Sequence, residues 1–226
     1  MTASAHDALV RWLDYHPTVQ VLEGTNGLSV ADRQGVVHKP VDPLQVRPGR
    51  SLLHRAVQGK HPGTSRIVDT TAGFGRDALA LVQAGHNVLA VERHPLMHAL
   101  LQDLVERLAS ARTGAPTTAE WGTLDVVFGD ANDLLSHLDP PFDVAYLDPM
   151  YRTPRRGKSR GPLQWLDDIL EDEASEEGTA LLQRAQSSGV RRVVVKRPLK
   201  APAVASGVSG SIKGRTTRYD IYAAHR

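Results

Sequence analysis

The chain has 226 residues, 41% of them apolar, which suits one domain of ordinary size with a core large enough to fold unaided. It has no cysteine, so disulfides and thiolate metal sites are excluded and a reducing cytoplasm is the expected setting. The formal charge is only +2, but the seven acids of the stretch Asp167 to Glu177 conceal a balance of 27 basic residues against 18 acids, or +9, in the remainder.

The N-terminal run M-T-A-S-A-H-D-A-L-V-R-W-L puts an acid where a secretory leader is apolar. No stretch approaches the ~18 uninterrupted apolar residues of a membrane span, so no membrane partner is expected. Residues 1–62 read as a small β appendage with a linker helix. Val19 to Glu23, Gly27 to Ala31 and Gly35 to His38 are short β-like runs, with Asp32-Arg33-Gln34-Gly35 as the turn between the last two. Pro40, Pro43 and Pro48 then interrupt the chain before Ser51, an N-cap for a helix over residues 52–57.

Residues 63–226 form the expected main domain, where strand and helix alternate as in a parallel sheet covered on both faces. Its organising stretch is R-I-V-D-T-T-A-G-F-G-R-D, from Arg66 to Asp77: a buried strand, a glycine turn and a helix start. Gly73 and Gly75 permit positive φ and close approach of a ligand to the backbone, which makes a nucleotide-like ligand on that helix N-terminus the first expectation. A second strand follows at Asn87 to Glu92. His94-Pro95 opens a long helix, whose His94 and His98 are expected on its surface and not at a metal; residues 110–123 are expected as loop. Strands at Leu124 to Phe128, Val144 to Leu147 and Val193 to Pro198 come next, with short helices over residues 132–138 and 179–186 between them. A terminal hairpin, Gly207 to Lys213 with Arg218 to Tyr222, closes the chain. The fold class is α/β, a Rossmann-like, mostly parallel seven-stranded sheet.

In such a sheet the ligand lies beyond the C-terminal ends of the strands, and those positions are rich in acids: Asp69, Glu92, Asp130 and Asp148. Glu92 stands 19 residues past Gly73, near the ~20 expected of a ribose-binding acid, and the alternatives are a pair with Arg93 or a helix cap. Asp130, with Asn132, suits either an adenine edge or a simple N-cap. Asp148-Pro149-Met150-Tyr151 sets a carboxylate and a ring at a strand tip. Asp148 can accept a hydrogen bond from an amine, and Tyr151 can stack on a planar ring or simply pack.

At this point the sequence resembles the class I methyltransferases that use S-adenosylmethionine on exocyclic amines, whose signature is Asp or Asn, Pro, Pro, then Tyr or Phe; Met150 stands at the second proline. The ordered set D-T-T-A-G-F-G-R-D-A, V-E-R-H-P, Y-L-D-P-M-Y, V-V-V-K-R-P and R-Y-D-I-Y is similar to the bacterial small-subunit ribosomal RNA guanine-N2 methyltransferases of type J. That resemblance implies that Arg76-Asp77, Glu92-Arg93, the corner at Asn132-Asp133 and Asp148 contact S-adenosylmethionine. It also implies ribosomal RNA, or the small subunit itself, as partner; oligomeric state is left open.

In the expected mechanism Asp148 and the Pro149 carbonyl orient the guanine amine, while Tyr151 stacks on a base swung out of the RNA. The basic loop Arg152, Arg155, Arg156 and Lys158, with Lys196 and Arg197, would grip phosphates. Three rival readings remain at this level: an adenine-N6 methyltransferase on DNA or RNA, a nicotinamide-dependent oxidoreductase, and a non-catalytic RNA-binding module.

Overall fold

The computed structural model describes residues 4–31, 35–38, 41–43, 51–61, 63–114, 120–137, 142–149 and 177–224. The first element, α1 (Ala5–Tyr15), is absent from the sequence expectations. Ser4 starts it as an N-cap: its Oγ accepts from the Asp7 amide at 3.1 Å and donates to the Asp7 carboxylate at 2.8 Å. The strands β1 (Gln20–Gly24), β2 (Gly27–Ala31) and β3 (Val37–His38) then form the expected antiparallel meander; the turn residues 32–34 lie outside the described residues. Leu9 and Trp12 of α1, with Val19 and Val30, close over Leu96, Met97 and Leu100 of the main domain.

Helix α2 (Leu52–Gln58) starts where Ser51 predicts, with Ser51 Oγ accepting from the His54 amide at 3.0 Å. Its Leu53, Ala56 and Val57 are buried in the main core and not against the meander. The main domain continues through β4 (Arg66–Asp69), α3 (Arg76–Gln83), β5 (Asn87–Glu92), α4 (Pro95–Gly114), β6 (Leu124–Phe128), α5 (Ala131–Leu134), β7 (Val144–Leu147), α6 (Glu177–Ser187), β8 (Arg192–Pro198), β9 (Val208–Lys213) and β10 (Thr217–Ala223). Among the described residues the sheet order is β6-β5-β4-β7-β8-β10-β9. The first five of these strands run parallel, and β10 pairs antiparallel with both β8 and β9, which is the expected fold.

Two boundaries differ from expectation. Helix α4 continues to Gly114, where a loop over 110–123 was expected, because Ser110 and Thr113 hydroxyls donate to carbonyls of their own helix and Arg112 donates to the Trp121 and Gly122 carbonyls. Helix α5 ends at Leu134, short of the expected span. One face of the sheet buries Ile67, Val88, Tyr146, Val194 and Tyr219 against α2, α3 and α4; the other buries Val68, Val91, Leu147, Val193 and Val195 against α5 and α6. At about 1.5–3 kcal/mol for each large side chain removed from water, these two layers dominate the stability and hold the strand tips in register.

Candidate active site

The site grows from the turn between β4 and α3. Gly75 has φ +73, and a Cβ there would come within 2.7 Å of Leu101 and Leu104, so glycine is required for the turn to lie against α4. Gly73 has φ +52 and open space around its missing side chain, with only the Thr71 carbonyl at 4.0 Å. The turn is pinned from both flanks. The Thr70 amide and hydroxyl donate to the Tyr146 carbonyl of β7 at 2.9 and 3.0 Å, and the Ala72 amide donates to the Val91 carbonyl of β5 at 3.3 Å.

Glu92, at the tip of β5, accepts from the Gly73 amide through Oε2 and from the His94 amide through Oε1, both at 2.8 Å. Its carboxylate therefore clamps the glycine turn to the start of α4. Each oxygen has a second lone-pair direction left over. Burial pushes the Glu92 carboxyl up, although its backbone donors oppose the shift. Arg93 does not displace those donors; its guanidinium lies 3.7 Å from Asp130.

Asp130, at the tip of β6, is the N-cap of α5: its Oδ1 accepts from the Asn132 amide at 2.7 Å and from the Asn132 side chain at 3.1 Å. That leaves Asn132 Oδ1 buried with no partner among the described residues. Arg76 and Asp133 are exposed on the first turns of their helices.

At the tip of β7 the Asp148 amide donates to Thr71 Oγ1 at 2.7 Å, so the same turn that meets Glu92 also meets Asp148. Lys196 Nζ, at the tip of the adjacent β8, donates to Asp148 Oδ2 at 2.8 Å and to Asp77 Oδ2 at 2.7 Å. The Tyr146 hydroxyl donates to the same Asp77 oxygen at 2.5 Å. Burial pushes Asp148 up, opposed by the charge of Lys196. Burial alone would lower Lys196, but the two carboxylates outweigh it and hold the ammonium above its ordinary value. Asp69, 1% exposed beneath the turn, is pushed well up by burial and then by Asp77, Asp148 and Glu92.

The structure thus brings Asp69, Gly73, Gly75, Asp77, Glu92, Asp130, Asn132 and Asp148 around the strand tips, with Pro149 buried beside them. Met150, Tyr151, Arg152, Arg155, Arg156, Lys158 and most of the acidic stretch lie outside the described residues.

Two assignments are corrected. Lys196 does not stand free for phosphate but sits between two carboxylates. Arg197, 4% exposed, points to the opposite face and donates to the Pro202 carbonyl at 2.9 and 2.6 Å. Its cross-strand neighbour Arg218 is likewise taken up by Asp220 and by the carbonyls of Pro198, Leu199 and Ala201. Arg197 and Arg218 are therefore internal scaffolding, whereas Arg191, Lys200, Lys213 and Arg215 are exposed. The histidines are corrected too: His98 is buried edge-on against Phe128, and His94 is mostly buried against Trp12, where burial lowers it to about 4.

Sequence reasoning also missed Tyr146 and the site role of Lys196. Both were within reach: Tyr146 precedes Asp148 by two positions and so shares its face, and Lys196 is to β8 what Asp148 is to β7, since Leu147 pairs with Val195.

Comparison with known proteins adds independent findings. A family described as "Putative SAM-dependent methyltransferase" matches residues 45–224. A ribosomal RNA small subunit methyltransferase J of Thioalkalivibrio sulfidiphilus is 37% identical over 225 residues, covering 91% of this chain and 84% of the relative. A protein of the same name from Stutzerimonas stutzeri is 40% identical over 178 residues, covering 76% of this chain and 66% of the relative. Among solved structures, a SAM-dependent methyltransferase of Neisseria gonorrhoeae superposes with a TM-score of 0.67 at 24% identity, over 92% of this chain and 83% of that one, which speaks to the fold.

Proposed function

The chain belongs to the SAM-dependent methyltransferase family that includes the type J small-subunit ribosomal RNA methyltransferases, and on that premise we propose that it methylates the exocyclic N2 amine of a guanine in 16S ribosomal RNA. The observation that carries the reading is that one turn, residues 69–77, touches Glu92 on one flank and Asp148 on the other. Groups suited to a nucleoside donor and a carboxylate suited to an amine therefore share a single cleft. A nicotinamide-dependent oxidoreductase would use the first flank and have no need of the second.

The residues fit the cofactor. Gly73 is open to the cleft, Glu92 keeps lone pairs for ribose hydroxyls, and the orphaned Asn132 Oδ1 is an acceptor suited to an adenine amine. When bound, S-adenosylmethionine supplies an electrophilic methyl whose bond to sulfur breaks as the bond to nitrogen forms, leaving the thioether.

The chain's own residues supply position and proton acceptance. The guanine amine is a poor nucleophile because its lone pair is delocalised into the ring. Asp148 and the Pro149 carbonyl would accept its two hydrogens, turning the lone pair toward the methyl, and Asp148 would receive the proton released as the new bond completes. Tyr151 is assigned to stack on the extruded base, and Arg152, Arg155, Arg156 and Lys158 to hold flanking phosphates. Incubation of the protein with small-subunit ribosomal RNA, free or assembled, and methyl-labelled cofactor tests this. Label recovered as N2-methylguanosine is expected. Label in N6-methyladenosine would overturn the choice of base, and no label in RNA would overturn the transferase reading.

A further inference from the structure

Lys196 is the feature that neither the sequence motifs nor the proposed chemistry absorbs. It is partly buried near the C-terminal end of β8, and two of its three N–H donors end on carboxylates from different elements: Asp77 on α3 and Asp148 just after β7. These partners lie 119 and 48 residues away in sequence, so the contact is a product of the fold.

Its surroundings are otherwise hostile to a negative charge on Asp148. Facing that carboxylate are Asp69 from β4, Asp77 from α3, Tyr146 from β7 and Tyr219 from β10. Both phenols are pushed up by burial, Tyr219 to about 12, so neither carries charge at neutral pH. Among the described residues Lys196 is the cation that touches Asp148. A protonated Asp148 would present a donor where the amine needs an acceptor.

We propose that Lys196 is a positioning residue of the methyl transfer: it holds Asp148 as a carboxylate, fixes its Oδ2, and leaves Oδ1 directed to the acceptor amine. The same ammonium ties that carboxylate to Asp77, in the first turn of the helix that follows the glycine turn, so that the acceptor carboxylate and the donor-binding turn keep one spacing. The inference rests on the reading that Asp148 meets the amine. A purely mechanical tie between α3 and β8 would predict loss of stability or affinity, and no change in the proton equilibrium of Asp148.

The test is the pH profile of kcat at saturating cofactor and ribosomal RNA, together with a carbon-13 NMR titration of Asp148, for the full-length chain and its variants. Lys196→Met should move the acid limb of the profile and the Asp148 titration upward by about one pH unit or more. Activity lost on the acid side should be recovered as the pH rises past the shifted limb, with cofactor affinity within about three-fold of the parent. Lys196→Arg should restore the parent profile. Asp77→Asn should shift the limb the opposite way, to lower pH, because it removes an anion and leaves Lys196 to Asp148 alone; this variant carries the test if Lys196→Met does not fold.

A loss that is equal at every pH, or an Asp148 titration unmoved in Lys196→Met and Asp77→Asn, overturns the inference while leaving the proposed function intact. A parent protein that transfers no methyl to RNA overturns the proposed function, and the titration then still reports on the Lys196–Asp148 couple.

Discussion

The two halves of the sheet hold their acids in different ways. On the β5 and β6 side, Glu92 and Asp130 are fixed by backbone amides of Gly73, His94 and Asn132, donors that exist because the chain turns there. On the β7 and β8 side, Asp148 and Asp77 share the ammonium of Lys196. Amide donors are part of the fold and survive any substitution other than proline, whereas a side-chain donor can be removed or tuned at one position. The donor half is therefore robust and the acceptor half adjustable, which suits a common cofactor on one side and a particular substrate on the other.

The difference can be broken most sharply at Asp148. Asp148→Ala should reduce methyl transfer by about a thousand-fold or more while melting temperature stays near the parent and cofactor affinity falls far less than activity, since it removes both orientation and proton acceptance. Cofactor binding by calorimetry checks the second half of that statement. If affinity collapses with activity, the two halves are not separable.

Glu92→Ala should do the reverse. Loss of the clamp on Gly73 and of the acceptor for ribose hydroxyls should weaken cofactor binding by about 10- to 100-fold, equivalent to roughly 1.4–2.8 kcal/mol, with a smaller effect on kcat at saturation. An unchanged dissociation constant would remove Glu92 from the donor half.

The smallest effect lies at the opposite end of the strands. His86, buried at the start of β5, accepts from the Ser65 amide through Nδ1 at 3.0 Å, so its Nε2 carries the proton and donates to His54 Nδ1, also at 3.0 Å. Burial lowers His86 to about 4, from an ordinary value of 6.5. The unfolded chain thus takes up this proton first, and stability should decline as pH falls from about 6.5 toward 4. His86→Gln should flatten the dependence of melting temperature on pH across that window, and an unaltered slope would refute the assignment. Because His86 lies far from Asp148 along the sheet, the variant should leave the pH profile of transfer in place.

The donor half was legible in the sequence because its signals are local. Gly73 and Gly75 declare a turn, and Glu92 follows at a spacing set by one strand-helix-strand unit. Ser51 likewise announced α2. The acceptor half was only half legible: Asp148-Pro149 is a local motif, but the partners of Lys196 lie 48 and 119 residues away and follow from the order β4-β7-β8, which no local pattern states.

Arg197 misled for the same reason. Beside Lys196 it resembles a phosphate-binding residue, and only the antiparallel insertion of β10 between β8 and β9 sends it inward, next to Arg218, to the Pro202 carbonyl. Helix α1 lay outside the expectations although Ser4 and Asp7 stand at the spacing of an N-cap and the third helical residue.

With Asp77 and Asp148 sharing a single ammonium, the acceptor side of the cleft carries two formal negative charges against one positive, and this bears on turnover. A sulfonium is attracted to such a cleft, whereas the spent thioether carries no charge at sulfur and loses that attraction when the methyl departs. Exchange of used donor for fresh would then be driven by a change of charge with almost no change of shape, and product inhibition should deepen in variants that make the cleft less negative.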